Sequence, residues 1–242
     1  MALVTGGATG IGAATVAALA EAKITVALQY SSSENEAKQI SEQLNSKGLK
    51  VEIFRADLSQ KDSIDKLVAS VKAKLGDIDI LINNAGLMSD ASIIEMSDEL
   101  WDQALNINLT AAFKLIRACA PSMVSKKWGR IINISSQVAL VGSANHAHYA
   151  AAKAGLLGLT YSAAKEYGAS GVTVNAVLPG RIQTNMIAQR SKGRLDEWLA
   201  QTPLNRLGKP EEVAGMINFL ASEMASYVTG AAINVNGGLV MG

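Results

Sequence analysis

The sequence predicts an α/β fold: a doubly wound parallel sheet of about seven strands with helices on both faces, in one domain spanning residues 1–242. Three observations predict it. Short β-branched runs alternate with longer amphipathic ones, the pattern of βαβ units. Several of the short runs are apolar on both faces, as strands covered by helices on each side must be. The first short run ends in a glycine cluster that opens a helix, the turn with which such sheets begin. With 49% hydrophobic and 18% charged residues over 242 positions, the chain has the material for one large core and is too apolar to be disordered.

The predicted strands are "ALVT" (2–5), "ITVALQY" (24–30), "VEIFRA" (51–56), "IDILIN" (78–83), "GRIINIS" (129–135), "VTVNAVL" (172–178) and "AAINVN" (231–236). Helices are predicted between them over 11–22, 34–48, 60–75, 98–126, 148–168 and 210–223, and right-handed crossovers place them on both faces. There is no repeat, low-complexity tract or linker. Residues 180–209 are too polar and broken for a core element. They follow a strand's carboxyl end, where open α/β sheets bind ligands, so the expectation is a mobile flap over the site. Met186, Ile187, Leu195, Trp198 and Leu199 would give that flap an apolar side.

Composition excludes several function classes. Lys and Arg total 22 against 21 Asp and Glu, so no charge excess favours nucleic acid or an acidic membrane. The one cysteine, Cys119, cannot form an internal disulfide, and in "RACAPSM" it reads as a small core residue. No metal site is predicted. No apolar run reaches membrane-spanning length, and the cytoplasm is the expected compartment. The chain opens almost inside its first strand, so an organelle stays open if a leader has been removed.

Gly6, Gly10 and Gly12 in "TGGATGIG" have the spacing G-x-x-x-G-x-G. Glycine permits the sharp strand-to-helix turn and lets a pyrophosphate approach the backbone, while the helix amino end offers unpaired N–H groups. "NNAG" (83–86) follows the fourth strand and is either a plain turn or the lining of an adenosine pocket. "RADL" places Asp57 and Leu58 past the third strand. Asp57 either accepts from an adenine amino group or caps a helix starting near Ser59.

"HAHYAAAK" (146–153) puts Tyr149 and Lys153 one helical turn apart, on the same face. A free phenol titrates near ~10, and a fixed cation beside it pulls that value toward the neutral range. Ser136, thirteen residues before Tyr149 and at a strand end, can hydrogen-bond the same carbonyl oxygen. Ser135, one position out of register, should point to the opposite side.

"TGGATGIG", "NNAG", "NIN" around Asn108, "ISS", "YAAAK" and "PGRIQT" together resemble the short-chain dehydrogenase/reductase family, in its order and spacing and over essentially the whole chain. The tail "PLNRLGKPEEVA…FLAS…YVTG…INVNGG" is similar to its 3-oxoacyl-[acyl-carrier-protein] reductase and carbonyl reductase branch. The resemblance implies a Rossmann-type sheet. It implies Tyr149 as the acid–base, with Lys153 binding the nicotinamide ribose and lowering the phenol's pKa. Ser136 would be the polarising serine, and Asn108 the asparagine that holds a water of the proton relay. It assigns the cofactor to Gly6, Thr9, Gly10, Ile11 and Gly12, to Asn84, Ala85 and Gly86, and to Pro179, Gly180, Ile182 and Thr184, besides Asp57, Leu58, Tyr149 and Lys153. The histidines fall outside the catalytic set: His148 points away from Tyr149, and His146, three before Tyr149 and closer to its face, either touches a substrate at the mouth or is a solvent-facing loop residue.

The position that is acidic in NAD-preferring members is Tyr30, so nothing there repels a 2′-phosphate. The positions that are basic in NADP-preferring members are Thr9 and Ser31. Hydroxyls at Ser31, Ser32 and Ser33, with Lys38 nearby, favour NADP(H), and NAD(H) stays open. The substrate is expected to be a small-molecule ketone, with a 3-oxoacyl thioester first. A general carbonyl reductase or NAD-linked alcohol dehydrogenase is the alternative, and an idle nucleotide-sensing scaffold is the alternative of another class. The two basic positions that dock an acyl-carrier protein in the reductase branch are here Lys127 and Ser170, and the loss of the second weakens that partner. The resemblance also implies a homotetramer built through the helices over 98–126 and 148–168 and the last strand.

Overall fold

The computed structural model describes residues 1–190 and 193–241. Strands β1 (Ala2–Val4), β2 (Val26–Tyr30), β3 (Val51–Arg55), β4 (Ile80–Asn83), β5 (Gly129–Ile134), β6 (Val172–Pro179) and β7 (Ala232–Val235) form one sheet. It is seven-stranded, in the order β3-β2-β1-β4-β5-β6-β7. All pairings are parallel. The order reverses between β1 and β4, which opens a crevice at their carboxyl ends.

The helices are α1 (Gly10–Glu21), α2 (Glu34–Asn45), α3 (Ser63–Leu75), α4 (Asp98–Leu105), α5 (Ala111–Lys126), α6 (Val138–Val141), α7 (Ala147–Tyr167), α8 (Asn185–Arg190), α9 (Leu195–Ala200) and α10 (Pro210–Ala221). Successive strand residues point to opposite faces, and both faces are covered. Ala2 and Val4 pack with Val16 and Leu19 of α1, Leu44 of α2 and Ile217 of α10. Leu3, between them, packs with Leu67 of α3 and Leu115 and Cys119 of α5. Truncating a fully buried leucine such as Leu81 to alanine would cost about 2–5 kcal/mol. Cys119 is wholly enclosed, and burial pushes its thiol up to about 12, so it is a core residue.

All seven predicted strands are present, within two residues at each end. Two helical regions differ. The run predicted over 98–126 is divided into α4 and α5 by one wider π-helical turn over Asn106–Thr110. The region 180–209 is not irregular throughout its described residues. It holds α8 and α9, and Trp198 is buried under the Arg181 guanidinium, 4.9 Å from the ring centre. Arg181 also donates to the Trp198 carbonyl at 2.7 Å, pinning α9 to the end of β6. Ile187 and Leu199 are half-buried and Leu195 is exposed, so Trp198 is the anchor. The Met186 side chain lies outside the described residues. No described helix is long and apolar enough to cross a membrane.

Candidate active site

A cavity of about 660 Å³ opens at the carboxyl ends of the strands. Its first wall is the glycine loop. Gly6 and Gly10 have φ of +61° and +54°, in the left-handed region that favours glycine. A Cβ on Gly12 would stand 2.0 Å from the Gly6 carbonyl oxygen, so no side chain fits there. Thr9, Gly10, Ile11 and Gly12 all line the cavity where α1 begins. Thr184, after β6, stands over Gly10, and Pro179, Gly180 and Ile182 line the same side.

Asn84, Ala85 and Gly86 form the adjoining wall. They are held by Thr5, whose Oγ accepts from Asn84 N and Ala85 N at 3.0 Å each. The Asn84 amide donates to the carbonyls of Thr5 and Gly6 at 2.9 and 3.0 Å, which ties the loops after β1 and β4 together. Gln29 adds a tie that sequence reasoning missed. Its Oε1 accepts from Gly6 N at 2.8 Å and its Nε2 donates to Ala56 O at 2.7 Å. A buried glutamine in an apolar strand was the available signal.

The opposite wall carries Ser136, Tyr149 and Lys153. Lys153 is buried, its Nζ donating to Ile134 O at 2.7 Å and lying 5.6 Å from the centre of the Tyr149 ring. Burial pushes its amine down to about 8. Both serines line the cavity, but Ser135 Oγ donates to the Lys153 carbonyl at 2.8 Å and fixes α7 to β5. Ser136, half-buried, accepts from Val138 N at 3.3 Å. Asn108 is buried in the π-helical turn beside this wall. Its amide donates to Leu87 O and Ala104 O at 2.9 Å each and accepts from Leu87 N at 3.2 Å. A Cβ on Gly86 would meet Asn108 Oδ1 at 2.7 Å and Lys153 Nζ at 3.5 Å, so these groups crowd one corner.

Other predicted residues lie outside the cavity lining. Tyr30 is buried at the end of β2, and Ser31 and Ser32 are exposed beyond it. Asp57 Oδ1 accepts from Ser59 N at 3.0 Å and Ser59 Oγ at 2.7 Å, and these bonds hold its carboxyl below the usual range. It caps the turn before α3, which starts at Ser63 and not near Ser59. Leu58 belongs to the core. Lys127 and Ser170 precede β5 and β6, at the amino edge of the sheet, across from the cavity and not beside its entrance.

Of the two readings of His146, its position fits the one at the mouth and not the solvent-facing loop: it lines the cavity, 2.7 Å from Asp90 Oδ1 through Nε2 and 2.9 Å from Ser143 Oγ through Nδ1. His148 is fully buried with Nε2 2.8 Å from Ser89 Oγ, and burial, then the His146 charge, lowers its pKa.

The family described as Enoyl-(Acyl carrier protein) reductase matches residues 6–240. The chain belongs to the short-chain dehydrogenase/reductase family. As a short-chain dehydrogenase/reductase it is an oxidoreductase acting between an alcohol and a keto group. It is 42% identical over 243 residues to the 3-oxoacyl-[acyl-carrier-protein] reductase FabG of Salmonella typhimurium, covering 100% of this chain and 97% of that one. It is 38% identical over 240 residues to the FabG of Staphylococcus epidermidis, covering 99% and 98%. Among solved structures, a blue fluorescent protein from a metagenomic library, in complex with NADPH, superposes with a TM-score of 0.94 at 38% identity, covering 99% of this chain and 97% of that chain. The short-chain dehydrogenase/reductase cradle here suits a dinucleotide. The backbone is bare at Gly10 and Gly12, the amino end of α1 faces in, and no acidic side chain stands in the glycine loop.

Proposed function

We propose that this enzyme uses NADPH to reduce the keto group of a 3-oxoacyl thioester to a secondary alcohol, with Tyr149 as the proton donor. The convergence of Tyr149, Lys153 and Ser136 on one cavity, across from a glycine loop built for phosphates, carries the reading. The NADPH complex of the solved neighbour supports the cofactor, and the two FabG relatives support the substrate class. When bound, NADPH supplies the hydride for the carbonyl carbon.

Tyr149 gives its phenolic proton to the carbonyl oxygen while the Ser136 hydroxyl donates a hydrogen bond to it. The Lys153 ammonium, 5.6 Å from the ring centre, favours the phenolate left behind and so makes the phenol a stronger acid. Lys153 would also hold the nicotinamide ribose. Asn108 keeps the Leu87 main chain in place, and would hold the water that returns a proton to Tyr149. Residues 180–209 act as the flap, and the active particle is a homotetramer.

The test follows reduced-nicotinamide absorbance on adding acetoacetyl-CoA to wild type and Tyr149→Phe, with NADPH and NADH in parallel. Wild type should oxidise NADPH, and Tyr149→Phe should lose about 10²- to 10⁴-fold in turnover while still binding NADPH. Near-normal turnover in the variant removes Tyr149 from its role. No oxidation with either cofactor overturns the thioester reading in favour of a general carbonyl reductase.

A further inference from the structure

A ribose 2′-phosphate is a dianion, and a protein that selects it needs a cation at the end of β2. The glycine loop has none, since Thr9 and its neighbours are uncharged. Lys38 is already engaged: its Nζ lies 2.7 Å from Glu34 Oε1, one turn away on α2. The remaining cation is on the next strand. Arg55 is the last residue of β3 and pairs in register with Tyr30, the last residue of β2.

The alternation along β3 fixes which side Arg55 occupies. Phe54 packs into the core beneath α3 and α5, while Val51 and Ile53 pack toward α1 and α2. Arg55 follows Ile53 in this alternation and so stands on the α2 side, with Tyr30. Its side chain is exposed, and among the described residues its guanidinium has no ion pair within bonding distance. Its charge nevertheless reaches the first turn of α2, where it adds to the larger effect of Lys38 in holding the Glu34 carboxyl low. Glu34 and Lys38 pair with one another, which leaves Arg55 as the cation of this corner without an ion pair among the described residues.

The corner is rigidly joined to the cradle. Ala56 N donates to Tyr30 O at 2.9 Å, Gln29 Nε2 donates to Ala56 O at 2.7 Å, and Gly6 N donates to Gln29 Oε1 at 2.8 Å. The end of β3 and the glycine loop thus keep a fixed spacing, as one ligand spanning both requires.

We propose that Arg55 is the residue that selects NADP(H), its guanidinium receiving the 2′-phosphate together with the hydroxyls of Ser31 and Ser32. The inference rests on the NADPH reading above. A basic residue on β3 here takes over the task that the glycine loop leaves undone.

Equilibrium titrations with NADPH and NADH, read by reduced-nicotinamide fluorescence, test it on wild type, Arg55→Gln and Arg55→Lys. Wild type should bind NADPH more tightly than NADH. Arg55→Gln should weaken NADPH by about 10- to 100-fold, the range for a lost charged hydrogen bond, with NADH as the reference that also reports folding. Arg55→Lys should recover part of the loss, since an ammonium gives charge without the fork. Equal weakening of both cofactors, or of neither, overturns the role of Arg55 while the wild-type preference stands. A wild type that binds both cofactors alike overturns the NADPH reading itself, and this inference with it.

Discussion

Lys153 is held where a cation is costly, with its amine pushed down by burial from 10.5 to about 8. The unfolded chain therefore binds more protons than the folded one between about 8 and 10.5, and stability rises with pH across that window. Below it the penalty is complete, at about 3 kcal/mol from 1.36 kcal/mol per pKa unit. Replacing Lys153 with methionine, of similar length and uncharged, should raise the thermal midpoint at pH 7 by several degrees. The gain should fade as the pH approaches ~10.5, the unfolded lysine value, while turnover is lost throughout. A midpoint below wild type at pH 7, in a calorimetric scan, would show that the Nζ bond to Ile134 outweighs the burial cost. Tyr149 and Lys153 could be paired from sequence because helix geometry relates positions four apart. Arg55 and Tyr30 could not, because they are joined only by strand register.

At the level of elements, the site depends on how the segment after β4 is fastened to α7. Ala91 N donates to Asn145 O at 2.9 Å, and Asp90 meets His146, the residue that precedes α7, at 2.7 Å. This fastening sits at the cavity mouth, on the same helix as Tyr149. His146→Ala should loosen the segment and raise KM for the ketone by about tenfold, the size of one charged hydrogen bond. NADPH affinity should hold, because the cofactor cradle is tied separately through Thr5 and Asn84. Steady-state kinetics with each substrate varied in turn separates the two, and an equal rise in both constants would sink the idea. The stretch "HAHYAAAK" put His146 near the face of Tyr149, but its partner Asp90 is 56 positions away, and no sequence pattern joins the two. The π-helical turn was hidden for a different reason: "NINL" is continuous helical pattern, and only the buried Asn108 amide, bonded to Ala104 and Leu87, marks the extra width.

For the whole molecule, the seven strands and the place of the site were legible because apolar runs on two faces leave little choice but a covered parallel sheet. The surface was not, and it is uneven. The β3 edge is guarded by Glu52, paired with Lys74, and by Arg55. The β7 edge, Ala232–Val235, carries no charge, and Tyr227 before it and Met241 after it in the chain stand fully or largely exposed. Unpaired, uncharged edges invite a second chain. Exposed aromatic rings also stand on α5 and α7, where Phe113 and Tyr161 are 45% and 42% exposed. We propose that the β7 edge and this α5 and α7 face are the two self-complementary patches that a dihedral tetramer needs, so that removing one should leave dimers. Light scattering should therefore give wild type a mass near four times the 25.3 kDa chain. Phe113→Glu with Tyr161→Glu should halve that mass and leave the sheet intact, since neither side chain belongs to the core. A wild-type mass of one chain overturns the tetramer. A double variant that stays tetrameric overturns the assignment of the α5 and α7 face, and the β7 edge must then belong to an assembly of another symmetry.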